Sequence, residues 1–264
     1  MANRAVNENS VKNAALAGEA TITAGLEWQP IGMRHYGEWE RYRNVLLARQ
    51  AKFPVSCISL PFLGALSHLD LESLEATGKT QGLIHSVLQA MRLALRMDES
   101  SISDGRIQPI FQQGEFSGIL VRQENGQDTL ITSAMFDEVR RVLVWQQGEE
   151  LPDESLNDEL LETEQDLAER NRPKLKYNLY SLVSSVALAC HTRPVNVLDW
   201  PIIEFDSMRR AIDRSKRHAL CAIAEGNGAK WKGGNPYPSW CFDRDEQASN
   251  ALISASDFGK AKKR

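Results

Sequence analysis

No run of about 18 apolar residues occurs in this 264-residue chain, which excludes a membrane-spanning helix of ordinary length. Cysteine is scarce: Cys57, Cys190, Cys221 and Cys241 are the only four, and no two stand in a CxxC spacing. A disulfide framework is therefore not expected, and the thiols read as reduced and buried or incidental. The first 25 residues hold no apolar core segment, so a secretory leader is not expected either. Strong charge of one sign is also missing. Lys and Arg total 31 against 35 Asp and Glu, a net charge of −4, so no global field draws the molecule toward nucleic acid. What is present is ordinary for a globular chain. Hydrophobic residues make up 42% and charged residues 25%, and the length suits one large domain or two modest ones.

Residues 1–25 are rich in Ala, Asn, Glu and Thr and read as a mobile arm. Order is expected from about Leu26. Tyr36, Trp39, Tyr42, Val45 and Leu46 recur at helical spacing over 34–50, and Phe62, Leu63, Leu66 and Leu69 do so over 61–71. Leu83, Ile84, Val87, Leu88, Met91 and Leu95 share one face of the strongest amphipathic helix of this half, over 80–97. The period then changes. The runs 117–123 and 128–132 flank Asn125-Gly126, a strong β-hairpin signal. Ser133 reads as the cap of a helix whose apolar side holds Phe136, Val139, Val142 and Leu143, with Gly148 as its stop.

The sharpest shift in composition lies at 149–169, with ten acidic residues and no Lys or Arg. Such a run reads as a solvated connector. Beyond it, Leu175, Leu179, Leu182, Val183, Val186 and Cys190 form an apolar stripe, and a long helix is expected over about 201–225, ended by Gly226 and Gly228. The expected fold is mainly α with one small β-hairpin (α+β), in two helical lobes joined by the acidic connector. The divisions are an arm at 1–25, a first lobe at 26–148, the connector at 149–172, a second lobe at 173–244 and a basic tail at 245–264.

Four chemistries deserve weighing. The segment 73–80, SLEATGKT, resembles a phosphate-binding loop only at Gly78-Lys79-Thr80, because Ser73 stands where the loop needs Gly and no strand precedes it. It reads more simply as a turn and N-cap. His218 and Cys221 lie three apart, and Cys190 and His191 are adjacent, but the spacing matches no zinc pattern. None of the five His residues stands in a Ser, Cys or Asp setting of a catalytic motif, so no catalytic residue, metal or cofactor is expected. Finally, Arg209, Arg210, Arg214, Lys216, Arg217, Lys230 and Lys232 face only Asp213 and Glu225 within 209–232, with Trp231 and Tyr237 nearby. That composition allows a nucleic-acid platform. The spacing of Arg210, Arg214 and Arg217 equally describes the wet face of an amphipathic helix.

The segment 224–240, AEGNGAKWKGGNPYPSW, draws these threads together. Its Gly residues follow a helix rather than preceding one, which argues against a phosphate cradle. It reads as a helix stop followed by a basic aromatic hook of Lys230, Trp231, Lys232, Tyr237 and Trp240, with Pro236 and Pro238 holding the chain extended. The hook either clamps its own lobe or docks a partner.

Read in order, SAMFDEVRRVLVWQQG (133–148), LPDESLNDEL (151–160), RPVNVLDWPIIEF (193–205) and the hook resemble tailed-bacteriophage tail-module proteins of the tail assembly chaperone type. The resemblance covers 116–240, about half of the chain, and is carried by Phe136-Asp137-Glu138-Val139-Arg140, Gln146-Gln147 and the Gly228–Lys232 element ending at Trp240. These motifs are compositional, not catalytic. The resemblance implies a non-enzymatic helper in the host cytoplasm that binds the tape-measure protein and contacts tail-tube subunits, with no cofactor and no membrane. The hook residues together with Arg210, Arg214 and Arg217 are the expected partner surface. A structural tail or baseplate component and a nucleic-acid-binding regulator are the alternatives.

Overall fold

The structure is a computed structural model and describes residues 6–113, 115–124, 126–155, 178–231 and 235–240. The chain forms two compact units, Met1–Asp206 and Ser207–Arg264. The architecture is mainly α with a smaller β component, as the sequence patterning anticipates.

The first unit begins with helix α1 (Glu8–Leu16), whose N-cap Asn7 accepts the amides of Asn9 and Ser10. Val11 and Ala15 are buried. Strands β1 (Thr21–Thr23) and β2 (Leu26–Trp28) pair antiparallel across Ala24-Gly25, both at positive φ. Part of the segment assigned to a mobile arm is thus folded. Its composition hides this because only small side chains, Val11 and Ala15, carry the packing of α1. Leu26 and Trp28 are buried on one face of β2 while Glu27 points out, the period of two that a half-buried strand requires.

Helices α2 (Tyr36–Leu46), α3 (Val55–Ile58), α4 (Phe62–Thr77) and α5 (Leu83–Ala94) follow. The helix expected over 80–97 is shorter than its periodicity implies. Gly82, at φ +76, cannot be helical, and the chain turns out of the helix at Arg96. Thr80 is not the cap of α5. The Asp70 carboxylate on α4 accepts the amides of Leu83 and Ile84 at 3.2 and 2.9 Å and takes that role from 13 residues away. In the loop between them Gly78 is left-handed, and the Ser73 hydroxyl donates to the Lys79 carbonyl at 2.9 Å. The SLEATGKT segment is therefore a helix end and presents carbonyls, the wrong partial charge for phosphate.

The predicted hairpin is present as β4 (Glu115–Arg122) and β5 (Asp128–Thr132), with β3 (Ile107–Gln112) on the other edge of β4. Ile107 pairs with Val121 and Ile119 with Ile131, placing four buried side chains on one face. Gly118 lies on β4 opposite Thr132 with φ +153, and a Cβ there would sit 2.3 Å from the Ile131 carbonyl oxygen. Only glycine permits this approach.

Helix α6 (Ser133–Trp145) contacts α1, α2, α4 and α5 and is the centre of the unit. Its N-cap is Thr132, one residue before the expected Ser133, and the Thr132 hydroxyl accepts the Met135 amide. Gly148 is left-handed at its end, as expected. Arg140 is buried on α6. It donates to the carbonyls of Leu46 and Ala48 at 2.7 and 2.8 Å, closing the end of α2, and its guanidinium lies 3.6 Å from the Phe62 ring centroid. Burial lowers its pKa to about 10, leaving it charged at neutral pH. Gln146 donates to the Trp28 carbonyl at 2.7 Å, tying α6 to β2.

At the start of the acidic run two carboxylates find partners in the first unit, although Glu150, Asp153 and Glu154 remain exposed. Glu149 accepts from Trp39 Nε1 at 3.2 Å and from Arg43 at 2.7 Å, and Glu154 accepts the amides of Gln50 and Ala51. Residues 156–172 of the expected connector lie outside the described residues. Helices α7 (Leu179–Ala189) and α8 (Pro194–Val197) complete the unit with the start of α9 (Ile202–Gly226). The unit boundary thus falls within α9. Among the described residues no helix is long and apolar enough to cross a membrane.

Candidate functional site: the aromatic hook

The second unit contains most of α9 and the hook. Helix α9 ends at the left-handed Gly228, where the Ala229 amide returns to the Ala224 carbonyl at 2.9 Å and the Gly228 amide to Glu225 at 2.9 Å. This is the Schellman closure that a Gly two residues past the helix end makes available.

After the turn the chain comes back along the helix. Tyr237 is fixed from several sides. Its amide is received by the Asn235 side chain at 2.8 Å, its hydroxyl accepts from Arg217 Nη1, and its carbonyl accepts from His218 Nδ1 at 2.8 Å. The last contact places the His218 proton on Nδ1. The Arg217 guanidinium also lies 5.4 Å from the Tyr237 ring centroid. Three residues on, the Trp240 carbonyl accepts from Arg214 Nε at 2.9 Å. Arg214, Arg217, His218 and Cys221 recur three and four residues apart, so one helical face meets the hook. Asp213 holds Arg217 from one turn earlier at 2.9 Å. The hydrogen bond to Tyr237, followed by the attraction of Asp213, raises the pKa of Arg217 and keeps it cationic.

The expected partner residues therefore divide. Arg214, Arg217 and Tyr237 are brought together as a clasp. Trp231 and Trp240 stay outside it, 38% and 61% exposed. Lys230 is exposed on the approach to the hook, Arg210 is exposed on α9, and Lys232 lies outside the described residues. Leu220 and Ile223 add exposed apolar surface on α9. His218 and Cys221, weighed above as metal ligands, have other settings: His218 serves the Tyr237 carbonyl and Cys221 is buried. Among the described residues no group of three or more His, Cys, Asp or Glu side chains is placed to hold a metal ion.

A second concave surface lies in the first unit and has no counterpart in the sequence reading. A cleft of about 580 Å³ is lined by residues of 30–38, 92–99 and 198–199. At its base Arg92, 5% exposed, pairs with Glu38, which also receives His35 Nδ1 at 3.1 Å. Arg34 Nε donates to Asp199 at 2.7 Å. The signal for this cleft is distributed: its charged residues are up to 165 positions apart, and only the fold gathers them.

Comparison with family models, with curated proteins and with solved structures finds no match to this chain.

Proposed function

We propose that this chain is a non-enzymatic assembly factor of a phage tail module, of the tail assembly chaperone type, which binds the tape-measure protein in the host cytoplasm through the aromatic hook. The observation that carries the reading is the division within the hook. Tyr237 and the backbone of Trp240 are fastened to α9, while the rings of Trp231 and Trp240 face solvent. A fastened loop loses little conformational freedom on binding, and exposed Trp rings are the side chains that dominate protein interfaces. Leu220 and Ile223 extend the apolar surface, and the Lys and Arg residues of α9 keep it hydrated.

The test is co-expression with the tape-measure protein. The double substitution Trp231→Ala, Trp240→Ala is expected to leave the melting temperature unchanged and to abolish co-purification. Undiminished capture would overturn the reading. Stoichiometric amounts of the chain in purified particles would support the structural tail alternative instead. The nucleic-acid alternative draws on the seven Lys and Arg residues within 209–232. It requires a mobility shift that weakens steeply with salt.

A further inference from the structure

Two helices of the first unit end on a left-handed residue other than Gly: α7 on His191 and α5 on Arg96, and of the two only Arg96 lines the cleft. Helices α1 and α6 close with a left-handed Gly, Gly18 and Gly148, as α9 does in the second unit with Gly228. Helix α5 closes by the same hydrogen bonds. The Met97 amide donates to the Arg92 carbonyl at 3.0 Å and the Arg96 amide to the Leu93 carbonyl at 3.2 Å. Here the left-handed residue is Arg96, at φ +52. An L-residue with a Cβ is strained in this conformation and Gly is not. Neutralising the carbonyl end of α5 does not explain an arginine there, because Arg92 already occupies the last turn and reaches the Met97 carbonyl.

The guanidinium of Arg96 makes no hydrogen bond or ion pair among the described residues, and the residue lines the cleft of about 580 Å³. Two of the four carboxylates lining the cleft are committed elsewhere: Glu38 to Arg92 and His35, and Asp199 to Arg34 Nε. Hydrogen-bond donors therefore remain on Arg96 and on the terminal nitrogens of Arg34. Ile31, Leu93, Met97 and Leu198 supply an apolar wall to the same cleft. Exposed Asp98 and Glu99 also line it and would repel a highly charged ligand.

We propose that this cleft is a binding site for a small organic monocarboxylate, whose oxygens are held by Arg96 and Arg34 and whose apolar body lies against Met97 and Leu198. A planar guanidinium matches the two carboxylate oxygens. The volume lies in the range of small-molecule sites.

The test uses hexanoate titrated into the full chain and followed by NMR shifts of the 92–99 amides, with hexanamide and inorganic phosphate as comparison probes. Hexanoate is expected to saturate, with hexanamide and phosphate each at least about tenfold weaker. Arg96→Gly is expected to weaken hexanoate at least about tenfold while melting at the same temperature or higher, since Gly relieves the left-handed strain. No saturation by hexanoate would overturn the proposal. So would equal binding of hexanamide or phosphate, or unchanged affinity in the Arg96→Gly variant. A marked loss of stability in that variant would show that the arginine is retained for folding, which would overturn it as well.

Discussion

The Asp70 carboxylate accepts the backbone amide of Ile84 at 2.9 Å, so that a side chain of one helix caps the next across their connecting loop. The residue that formally precedes α5 is Gly82, which has no side chain to offer. Asp70 is itself buried, and its second oxygen receives the Leu83 amide. Asp70→Ala is expected to destabilise the first unit by about 1–2 kcal/mol, the range for loss of a helix cap. Asp70→Asn retains one acceptor and is expected to lose less. Urea denaturation of the three proteins measures this, and equal midpoints for all three would show that α5 does not depend on this cap.

Gly118 and the Ile131 carbonyl set a steric limit on the three-stranded sheet. A methyl group placed 2.3 Å from that oxygen has to push β4 and β5 apart or twist the backbone away from φ +153. Gly118→Ala is expected to lose at least about 2 kcal/mol, the scale of a strained backbone conformation added to disturbed packing. Gly126, also left-handed but with nothing within 4 Å of its would-be Cβ, provides the comparison. Its Ala variant bears backbone strain alone and is expected to lose less. Equal losses for the two variants would remove the steric argument.

Glu38 links the stability of the first unit to pH. Burial pushes its pKa up, but hydrogen bonds from His35 and Arg92, together with their charges, more than offset this, and the folded value lies below the ordinary 4.5. A carboxylate whose pKa is lowered by folding stabilises the folded state fully above its unfolded pKa. That contribution is lost as pH falls through the folded value. The stability difference between the wild type and Glu38→Gln is therefore expected to shrink as pH falls from about 4.5 to about 3. Denaturant midpoints taken across that range check it. A difference that stays constant down to pH 3, or that grows, contradicts the assignment.

How much of this was legible beforehand depends on the distance over which each signal acts. The core of α6 follows from Phe136, Val139, Val142 and Leu143 at helical spacing, and the end of α9 follows from Gly226 and Gly228, because periodicity and backbone freedom are properties of a few consecutive residues. The β4–β5 hairpin was equally legible. Helix α1 was not, since Val11 and Ala15 carry too little apolar character to distinguish a docked helix from a solvated arm. Glu149 was misjudged for a related reason. A carboxylate in an acidic run reads as solvated unless its partners are known, and Arg43 and Trp39 are more than 100 residues away. In the hook, the residue types were evident. Which of them clasp the helix and which face solvent was not.

The sequence by itself determined the helical and strand periods, the places where the backbone turns at glycine and the concentration of basic and aromatic residues between Arg209 and Trp240. Tertiary structure decided which charges are neutralised, that Asp70 rather than Thr80 caps α5, that Arg217 and His218 hold Tyr237 while Trp231 and Trp240 remain outside, and that Arg34, Arg92, Arg96 and Asp199 line one cleft. The physical reason is one of range. Periodicity and turn chemistry act within a few residues, whereas burial and charge pairing depend on which distant segments the core brings to one place.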